Sequence, residues 1–198
     1  MILHGIFPTP VAKFSLGRDF TSEEIEFISS LQMHRNQGNS TTDNGYVLKN
    51  PCMVNLTSFI QLSLDEYIKI IHSPKEETSL RITQSWVNIT KRGEFHHKHN
   101  HPNSFISGVL YVKADKEKDL LYFYSNAYRP IKIITENWNA YNSDVWRFEV
   151  ETGDMFLFPS SLAHMVETVQ SDERISLSFN TFPTGLVGDE NEKTGLRL

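Results

Sequence analysis

The sequence predicts an all-β core preceded by a helical flank, and three observations carry this prediction. From Leu80 onward, β-rich runs alternate with polar turns, and about eight such runs indicate a sandwich, a barrel or a jelly roll. Two helical patterns precede the first run and none separates the later ones, which argues against a doubly wound parallel sheet. The 198 residues are 39% hydrophobic and 12% aromatic, enough to bury the core of one domain.

Two helices are predicted before the strands. The first begins after Thr21, because Thr21 and Glu24 have the spacing of a capping box, and Gly38 can end it. The second covers about Phe59–His72, where apolar residues recur at helical spacing. The polar stretch Asn39–Gly45 between them is a predicted loop. Both helices are interpreted as cover for the core.

The strands are predicted in chain order, each as a short run bounded by turn residues. They are Leu80–Thr90, Phe105–Val112, Leu120–Ser125, Ile131–Ile134, Trp146–Val150, Met155–Phe158, His164–Val169 and Arg174–Phe182. The segment Asn137–Trp146 interrupts the pattern and is interpreted as hydrophobic cover, with a substrate loop or lid as the alternative. One domain is predicted, with a helical flank over residues 1–78, the strand core over 79–183 and a tail over 184–198.

Charge, apolar runs and cysteine content bear on the class of protein and its compartment. Lys and Arg number 19 and Asp and Glu 24, so the formal charge of -5 gives no basic field that would favour nucleic acid. No apolar run is long enough for a membrane helix. The single Cys52 cannot form an internal disulfide, and residues 1–11 lack the pattern of a secretory signal, so a cytoplasmic protein is expected.

The histidines are concentrated at two places in the strand region. Four of the eight, His96, His97, His99 and His101, lie within residues 96–101, and His164 follows an apolar run and a turn. Residues two apart in an extended segment share a face, so the odd-numbered three can point the same way. Imidazole suits Fe, Zn, Cu and Ni, so two of these histidines and His164 can form a metal site with open positions. The alternative is that the run is an exposed polar loop.

A polar strand face follows His164. Alternation places Arg174, Ser176, Ser178 and Asn180 on one side of the last predicted strand. If that side lines the interior, the guanidinium needs an anionic partner, because a buried unpaired charge is costly. A carboxylate is the natural partner, since each charge-assisted hydrogen bond contributes about 1.5–3 kcal/mol. The alternative is a surface arginine on a half-exposed strand.

Together, these motifs resemble the small Fe(II)- and 2-oxoglutarate-dependent oxygenases of bacteria and tailed phages. The resemblance spans most of the chain and rests on Phe7–Val11, Trp86–Asn88, Gly93, His99–Pro102, Ser107–Val112, Leu157–Ser160, His164 and Arg174–Asn180. Any one of these motifs is weak evidence for the family, whereas the whole set in this order is specific to it. The resemblance implies an all-β double-stranded β-helix, or jelly roll, with N-terminal helices packed on one sheet. If the chain is phage-encoded, it would act in the host cytoplasm.

The resemblance also implies the metal ligands. The family usually holds iron with His-x-Asp/Glu and a distal His, so His99 and His164 correspond to the two histidines. The chain departs from this pattern at His101, which stands in place of the carboxylate, and His97 is the alternative third ligand. Since ligating histidines must be neutral, iron affinity is expected to fall below about pH 6.5.

For the cosubstrate, the resemblance implies that Arg174 binds the distal carboxylate of 2-oxoglutarate with Ser176 beside it. Tyr111 and Asn88 are further candidates for the same role. The implied reaction consumes O2, releases succinate and CO2, and hydroxylates a substrate that the sequence does not identify, either a small molecule or a protein side chain. No catalytic residue is expected beyond the metal site.

Two other functions stay open. A cupin-type dioxygenase with three histidine ligands would need no 2-oxoglutarate, although Phe105 and Ile106 stand where the cupin glutamate is expected. A metal-binding jelly roll without catalysis is the other alternative. A homodimer is also left open, whereas no nucleic acid and no membrane is expected as a partner.

Overall fold

The computed structural model of the protein describes residues 1–75, 77–127, 131 and 133–198. The helices of this part are α1 (Ser22–Ser30) and α2 (Val54–Ile71). The strands are β1 (Ala12–Ser15), β2 (Met33–Arg35), β3 (Ser40–Thr42), β4 (Thr78–Lys91), β5 (His96–His99), β6 (Ile106–Lys113), β7 (Leu120–Tyr124), β8 (Val145–Glu149), β9 (Asp154–Pro159), β10 (His164–Val166), β11 (Glu173–Val187) and β12 (Leu196–Arg197).

The strands form two antiparallel sheets. The larger has the order β1-β9-β6-β11-β4-β3-β2, with β12 paired to β11, and the smaller has the order β5-β10-β7-β8. Strands that are distant in sequence are therefore neighbours in both sheets, as β10 is to β5. This architecture is the double-stranded β-helix with flanking helices that the sequence predicts.

Two apolar clusters lie on opposite faces of the larger sheet. One joins α1 and α2 to the sheet and includes Leu110, Leu177 and Phe179, and the other includes Tyr111 and Phe123 and lies between the sheets. Successive side chains of a strand point to opposite faces, which is why adjacent residues of β6 enter different clusters. The even-numbered polar residues of β11 consequently face the smaller sheet, as the alternation predicts.

The first helix begins as predicted and ends earlier. Thr21 accepts the backbone N–H of Glu24, and the Glu24 carboxylate accepts that of Thr21, which completes the capping box. The helix ends at Ser30, so the prediction that it extends to Gly38 is wrong. The chain instead forms the β2–β3 hairpin, with Gly38 at its turn at φ +93°. Part of the predicted loop Asn39–Gly45 is therefore β3, whose backbone groups pair with β2 and β4.

Other boundaries differ for local reasons. The second helix starts at Val54, before the predicted Phe59, because a short 3-10 turn at Pro51–Met53 leads directly into it. The predicted strand Ile131–Ile134 is wrong for residues 131, 133 and 134, which are exposed and outside any strand, while residue 132 lies outside the described part. Trp138 is 66% exposed, which does not support the interpretation of the segment Asn137–Trp146 as hydrophobic cover of the strand core. None of the described helices is long and apolar enough to cross a membrane.

Candidate metal centre

Strand pairing brings three of the five clustered histidines together. His164 opens β10 and pairs directly with His99 at the end of β5. The backbone N–H of His101 donates to the carbonyl of Ser160 at 2.9 Å, which holds the chain beyond β5 against the end of β9. One ring nitrogen from each of His99, His101 and His164 therefore lies within 4.8 Å of the other two. We call these three residues the inner triad.

Hydrogen bonds fix which nitrogen of each ring faces its neighbours. In all three residues Nδ1 lies next to an oxygen: 2.7 Å from the His97 carbonyl for His99, 2.5 Å from Asn180 Oδ1 for His101, and 3.1 Å from the Leu162 carbonyl for His164. A carbonyl oxygen can only accept, so Nδ1 carries the hydrogen. Nε2 then carries the free lone pair, so each ring can bind a metal ion through Nε2.

Burial keeps the inner triad neutral. It lowers the pKa of His99 to about 4 and lowers the pKa of His101, and it sets the pKa of His164 well below the usual value. The rings of Phe158 and Phe123 pack on His164 with centroid distances of 4.7 and 6.2 Å. The expected loss of metal affinity below pH 6.5 assumed an ordinary imidazole pKa, and burial moves that loss to lower pH.

His97, the alternative ligand, belongs to a different group. Ring nitrogens of His96, His97 and His99 also lie within 4.8 Å of one another, and this group shares only His99 with the inner triad. The described structure therefore brings His101, and not His97, together with His164.

Arg174 lines the same cavity as the inner triad and has no anionic partner there. It is 3% exposed, and its Nη2 donates to the Tyr111 hydroxyl at 2.8 Å while Nη1 donates to the Leu120 carbonyl at 3.1 Å. Among the described residues no carboxylate lies within ion-pair distance of its guanidinium. Because a buried cation without a counter-charge is costly, this position favours an anionic ligand.

The predicted cosubstrate residues and the inner triad line a single interior cavity. Its volume is about 30 Å³, and it is lined by Asn88, His99, His101, Tyr111, His164, Arg174 and Ser176, among others. The buried Oδ1 of Asn88 has no hydrogen-bond partner, while Nδ2 donates to Ser178 Oγ at 3.3 Å. Turning this carboxamide over would let the serine hydroxyl donate to Oδ1 and would direct the amide N–H groups into the cavity.

A wider pocket opens outward from this cavity. Its volume is about 350 Å³, and it shares Trp86, Asn88 and three histidines with the cavity. The remaining lining residues are Asn36, Thr41, Gln84, His97, Asn100, Pro102 and Asn180, which are polar except for Pro102 and include no carboxylate, lysine or arginine. We call this space the mouth pocket.

Sequence reasoning missed the hydrogen-bonded support of His101. Ser107 Oγ lies 2.9 Å from His101 Nδ1 and donates to Asn180 Oδ1 at 2.8 Å, and it also bonds Ser160 Oγ at 2.8 Å. The available signal was the polar face of β11, which placed Asn180 on the same side as Arg174. Its partner could not be identified because the pairing of β6 with β11 places Asn180 opposite Ser107, while a backbone hydrogen bond to Ser160 holds residue 101, and neither contact can be read from the sequence.

The chain is similar to one described family and to several solved structures. Residues 84–180 match the family described as "Putative 2OG-Fe(II) oxygenase". No curated protein sequence matches significantly. HygX from Streptomyces hygroscopicus, solved with nickel and 2-oxoglutarate bound, is 12% identical, with coverage of 87% of this chain and 82% of that chain and a TM-score of 0.56.

Two further structures share the fold. An oxidoreductase of the 2OG-Fe(II) oxygenase family from Burkholderia pseudomallei is 13% identical, over 79% of this chain and 74% of that chain, with a TM-score of 0.56. A prolyl-4-hydroxylase from Pseudomonas putida is 16% identical, over 87% and 92%, with a TM-score of 0.51. At these identities the similarity demonstrates the double-stranded β-helix alone.

Proposed function

We propose that the chain is a 2-oxoglutarate-dependent dioxygenase whose iron is held by His99, His101 and His164. Residues 84–180 place the chain in the family of 2OG-Fe(II) oxygenases. As a member of this family it is an oxidoreductase that uses Fe(II), 2-oxoglutarate and O2. The observation that carries the proposal is the buried Arg174, which lacks an anionic partner among the described residues and lines the same cavity as the inner triad.

The inner triad fits a metal ion by its chemistry. Three neutral imidazoles with free Nε2 atoms are ligands that suit Fe(II), and their number leaves coordination positions open. The family carboxylate is replaced by His101, so these ligands offset none of the charge of the ion. A divalent cation and the Arg174 guanidinium then share one cavity, which strengthens the preference for a dianionic cosubstrate.

The chain offers separate groups to the two ends of 2-oxoglutarate. Arg174 would bind the distal carboxylate, and its bond to Tyr111 holds the guanidinium in place while both side chains are buried. Asn88, with its carboxamide turned over, would donate to a carboxylate oxygen, and the Ser176 hydroxyl lies on the same face. The oxo-acid end then lies towards the inner triad.

Bound iron would supply the redox chemistry that couples oxidative decarboxylation of 2-oxoglutarate to hydroxylation of the substrate, with release of succinate and CO2. The protein orients the cosubstrate through Arg174 and excludes water with the apolar side chains of Val109, Leu121 and Phe158, which line the cavity. No side chain of the protein is needed to move a proton in this scheme.

The substrate would bind in the mouth pocket, next to the inner triad. Its carboxamides, from Asn36, Gln84 and Asn100, can both donate and accept, and Trp86 adds an aromatic face. No carboxylate, lysine or arginine is among the described residues that line it. This supports a substrate whose reacting part is uncharged and capable of hydrogen bonding.

One observation favours a second function. An all-histidine ligand set is typical of cupin dioxygenases that act without 2-oxoglutarate. The buried Arg174 opposes this alternative, because such an enzyme has no anionic cosubstrate to balance the guanidinium. A metal-binding jelly roll without catalysis would leave the guanidinium equally unbalanced.

The test is anaerobic addition of 2-oxoglutarate to the Fe(II)-loaded protein, followed by the visible charge-transfer band of the chelated keto acid. We expect the band in the wild type and in Arg81→Ala, which removes an exposed arginine of β4. In Arg174→Ala the 2-oxoglutarate concentration needed for the band should rise more than about tenfold, since each lost charge-assisted bond is worth about 1.5–3 kcal/mol. Bound iron without a band would favour the cupin alternative, and no bound iron would contradict the proposed metal site.

A further inference from the structure

The cluster contains more imidazoles than one metal site uses. Besides the inner triad, β5 carries His96 and His97, which flank the shared His99. The His99 ring centroid lies 4.5 Å from that of His96 and 5.0 Å from that of His97, and the last two lie 5.2 Å apart. One ring nitrogen from each of the three lies within 4.8 Å of the others. We call His96, His97 and His99 the outer triad.

The outer triad faces the mouth pocket. All three of its residues line this pocket, whereas His164 does not. The Nδ1 of His97 lies 3.4 Å from the Gln37 carbonyl, which leaves its Nε2 free, and the ring of His96 has no hydrogen bond to the described residues. Both side chains are partly exposed, so an ion held there would have room for water ligands.

We propose that the outer triad is a second divalent-metal site, at the mouth pocket, and that it and the inner triad exclude each other through His99. The exclusion follows from the tautomer of His99. Its Nδ1 donates to the His97 carbonyl at 2.7 Å, so only Nε2 can bind a metal, and it can bind one ion at a time. This exclusion rests on the proposed inner site, whereas the outer site itself rests on the geometry of β5.

The ligand chemistry defines the ions concerned. Three imidazole nitrogens bind Ni²⁺, Cu²⁺ and Zn²⁺ more tightly than Fe²⁺, following the general affinity order of divalent metals. An ion of this kind in the outer triad withdraws His99 from the inner triad. The outer triad would therefore act as an inhibitory site for these metals and, for an entering Fe²⁺, as the first ligands that it meets.

The test uses Co²⁺ as the probe, with binding measured by titration and by visible absorption. His164→Leu disables only the inner triad and places an apolar side chain against Phe123 and Phe158, and His97→Ala disables only the outer triad. His4→Ala, which removes an exposed histidine at the N-terminus, is the matched control. Far-UV circular dichroism checks folding, and His101→Ala replaces His164→Leu if the latter does not fold.

We expect one Co²⁺ per chain in the wild type, the control and both single variants. Addition of 2-oxoglutarate should change the Co²⁺ spectrum of wild type and His97→Ala, and leave that of His164→Leu unchanged. The double variant His97→Ala/His164→Leu should bind Co²⁺ more than about 100-fold more weakly than His164→Leu, because even residues that only support ligands contribute 10–100-fold.

Three results would overturn the inference. These are no binding by His164→Leu, equal binding by His164→Leu and the double variant, and two Co²⁺ ions bound at once to the wild type. Failure of the proposed function would look different. The wild type would bind Co²⁺, but its spectrum would not respond to 2-oxoglutarate. The double variant would still bind Co²⁺ more weakly than His164→Leu.

Discussion

At the scale of single residues, each member of the inner triad has a carbonyl oxygen next to Nδ1 that sets its tautomer. For His99 and His164 that oxygen is a backbone carbonyl two residues away in sequence, so substitution cannot remove it. For His101 it is the side chain of Asn180, which residues distant in sequence bring into place. Of the three proposed ligands, His101 is therefore the one whose hydrogen-bonded support can be tested by mutation.

Replacement of Asn180 should weaken metal binding. In Asn180→Ala the His101 ring loses its acceptor at 2.5 Å and keeps only Ser107 Oγ at 2.9 Å, so its orientation is less well defined. We expect metal affinity to fall by about 10–100-fold, the usual cost of losing such a partner. Titration of the apoprotein with Co²⁺ measures it, with Asn126→Ala, an exposed carboxamide, as the control. Unchanged affinity would mean that Ser107 alone orients the ring.

The buried histidines should make the metal-free protein less stable in mild acid. Burial lowers the pKa of His99 to about 4, whereas in the unfolded chain it is about 6.5. Between these values only the unfolded state binds the proton, so stability is retained above about pH 6.5 and lost as pH falls towards 4, by up to about 1.4 kcal/mol per pH unit for each such histidine.

Urea unfolding of the metal-free protein at pH 7.5 and 5.5 checks this expectation. The midpoint should be lower at pH 5.5, and the difference should shrink in His164→Leu, where one of the buried imidazoles is absent. Equal midpoints at the two pH values would show that the histidines protonate in the folded state as readily as in the unfolded state.

At the scale of elements, β11 is the strand that combines core and site. Leu177 and Phe179 pack towards the helices, while Arg174 and Ser176 face the cavity. The strand pairs with β4 on one side and β6 on the other, and this fixes the position of each side chain along the barrel. The close approach of β6 to Phe179 depends on a residue without a side chain, Gly108.

Substitution of Gly108 by alanine should destabilise the sheet. An added Cβ would lie 2.1 Å from Cζ of Phe179, whose ring is fully buried and has little room to move. We expect a loss of about 1–3 kcal/mol in the free energy of unfolding, typical of overpacking. Urea unfolding measures it, with Gly45→Ala as the control because its Cβ would meet only the Gln84 side chain at 3.7 Å.

A compensating change makes this prediction sharper. Phe179→Leu shortens the opposing side chain, so the double variant Gly108→Ala/Phe179→Leu should be more stable than the sum of the two single losses allows. Wild-type stability of Gly108→Ala would contradict the close approach of β6 and β11 on which this expectation is based.

At the scale of the whole molecule, the two apolar clusters are coupled through shared strands. Leu110 and Tyr111 are neighbours in β6 but belong to different clusters, and Phe156 and Leu157 in β9 repeat the arrangement. Neither cluster can lose its order without disturbing the strands that support the other. The single domain that the sequence predicts stays a prediction, and this coupling provides a test of it.

Unfolding should therefore be one cooperative transition. Tryptophan fluorescence, which includes Trp86 at the mouth pocket, and far-UV circular dichroism should give the same midpoint. Metal with 2-oxoglutarate at 100 times its dissociation constant should add about 2.7 kcal/mol, or about 5–11 °C in Tm for a chain of this size. Separate transitions for the two probes would contradict a single domain.

The residue pattern by itself determined the faces of the strands and the chemistry they carry. Side chains alternate along a strand whatever its neighbours are, so the polar side of β11 and the extended histidine run could be predicted from sequence. Local capping was equally predictable at Thr21, whereas the end of α1 was not. The β2–β3 hairpin replaces the expected continuation of the helix, because its strands pair with each other and with β4.

Only the tertiary structure decided which histidines meet and in what form. That His101, and not His97, lies next to His164 depends on the register of β10 against β5, which pairs His164 with His99. The lowered pKa of His99 and the Asn180 partner of His101 depend on packing between strands far apart in sequence. The alternation of residues along a strand fixes the side of the sheet on which each side chain lies. The register between distant strands fixes its neighbours. Those neighbours determine its burial, the tautomer of a histidine and the geometry of the candidate metal site.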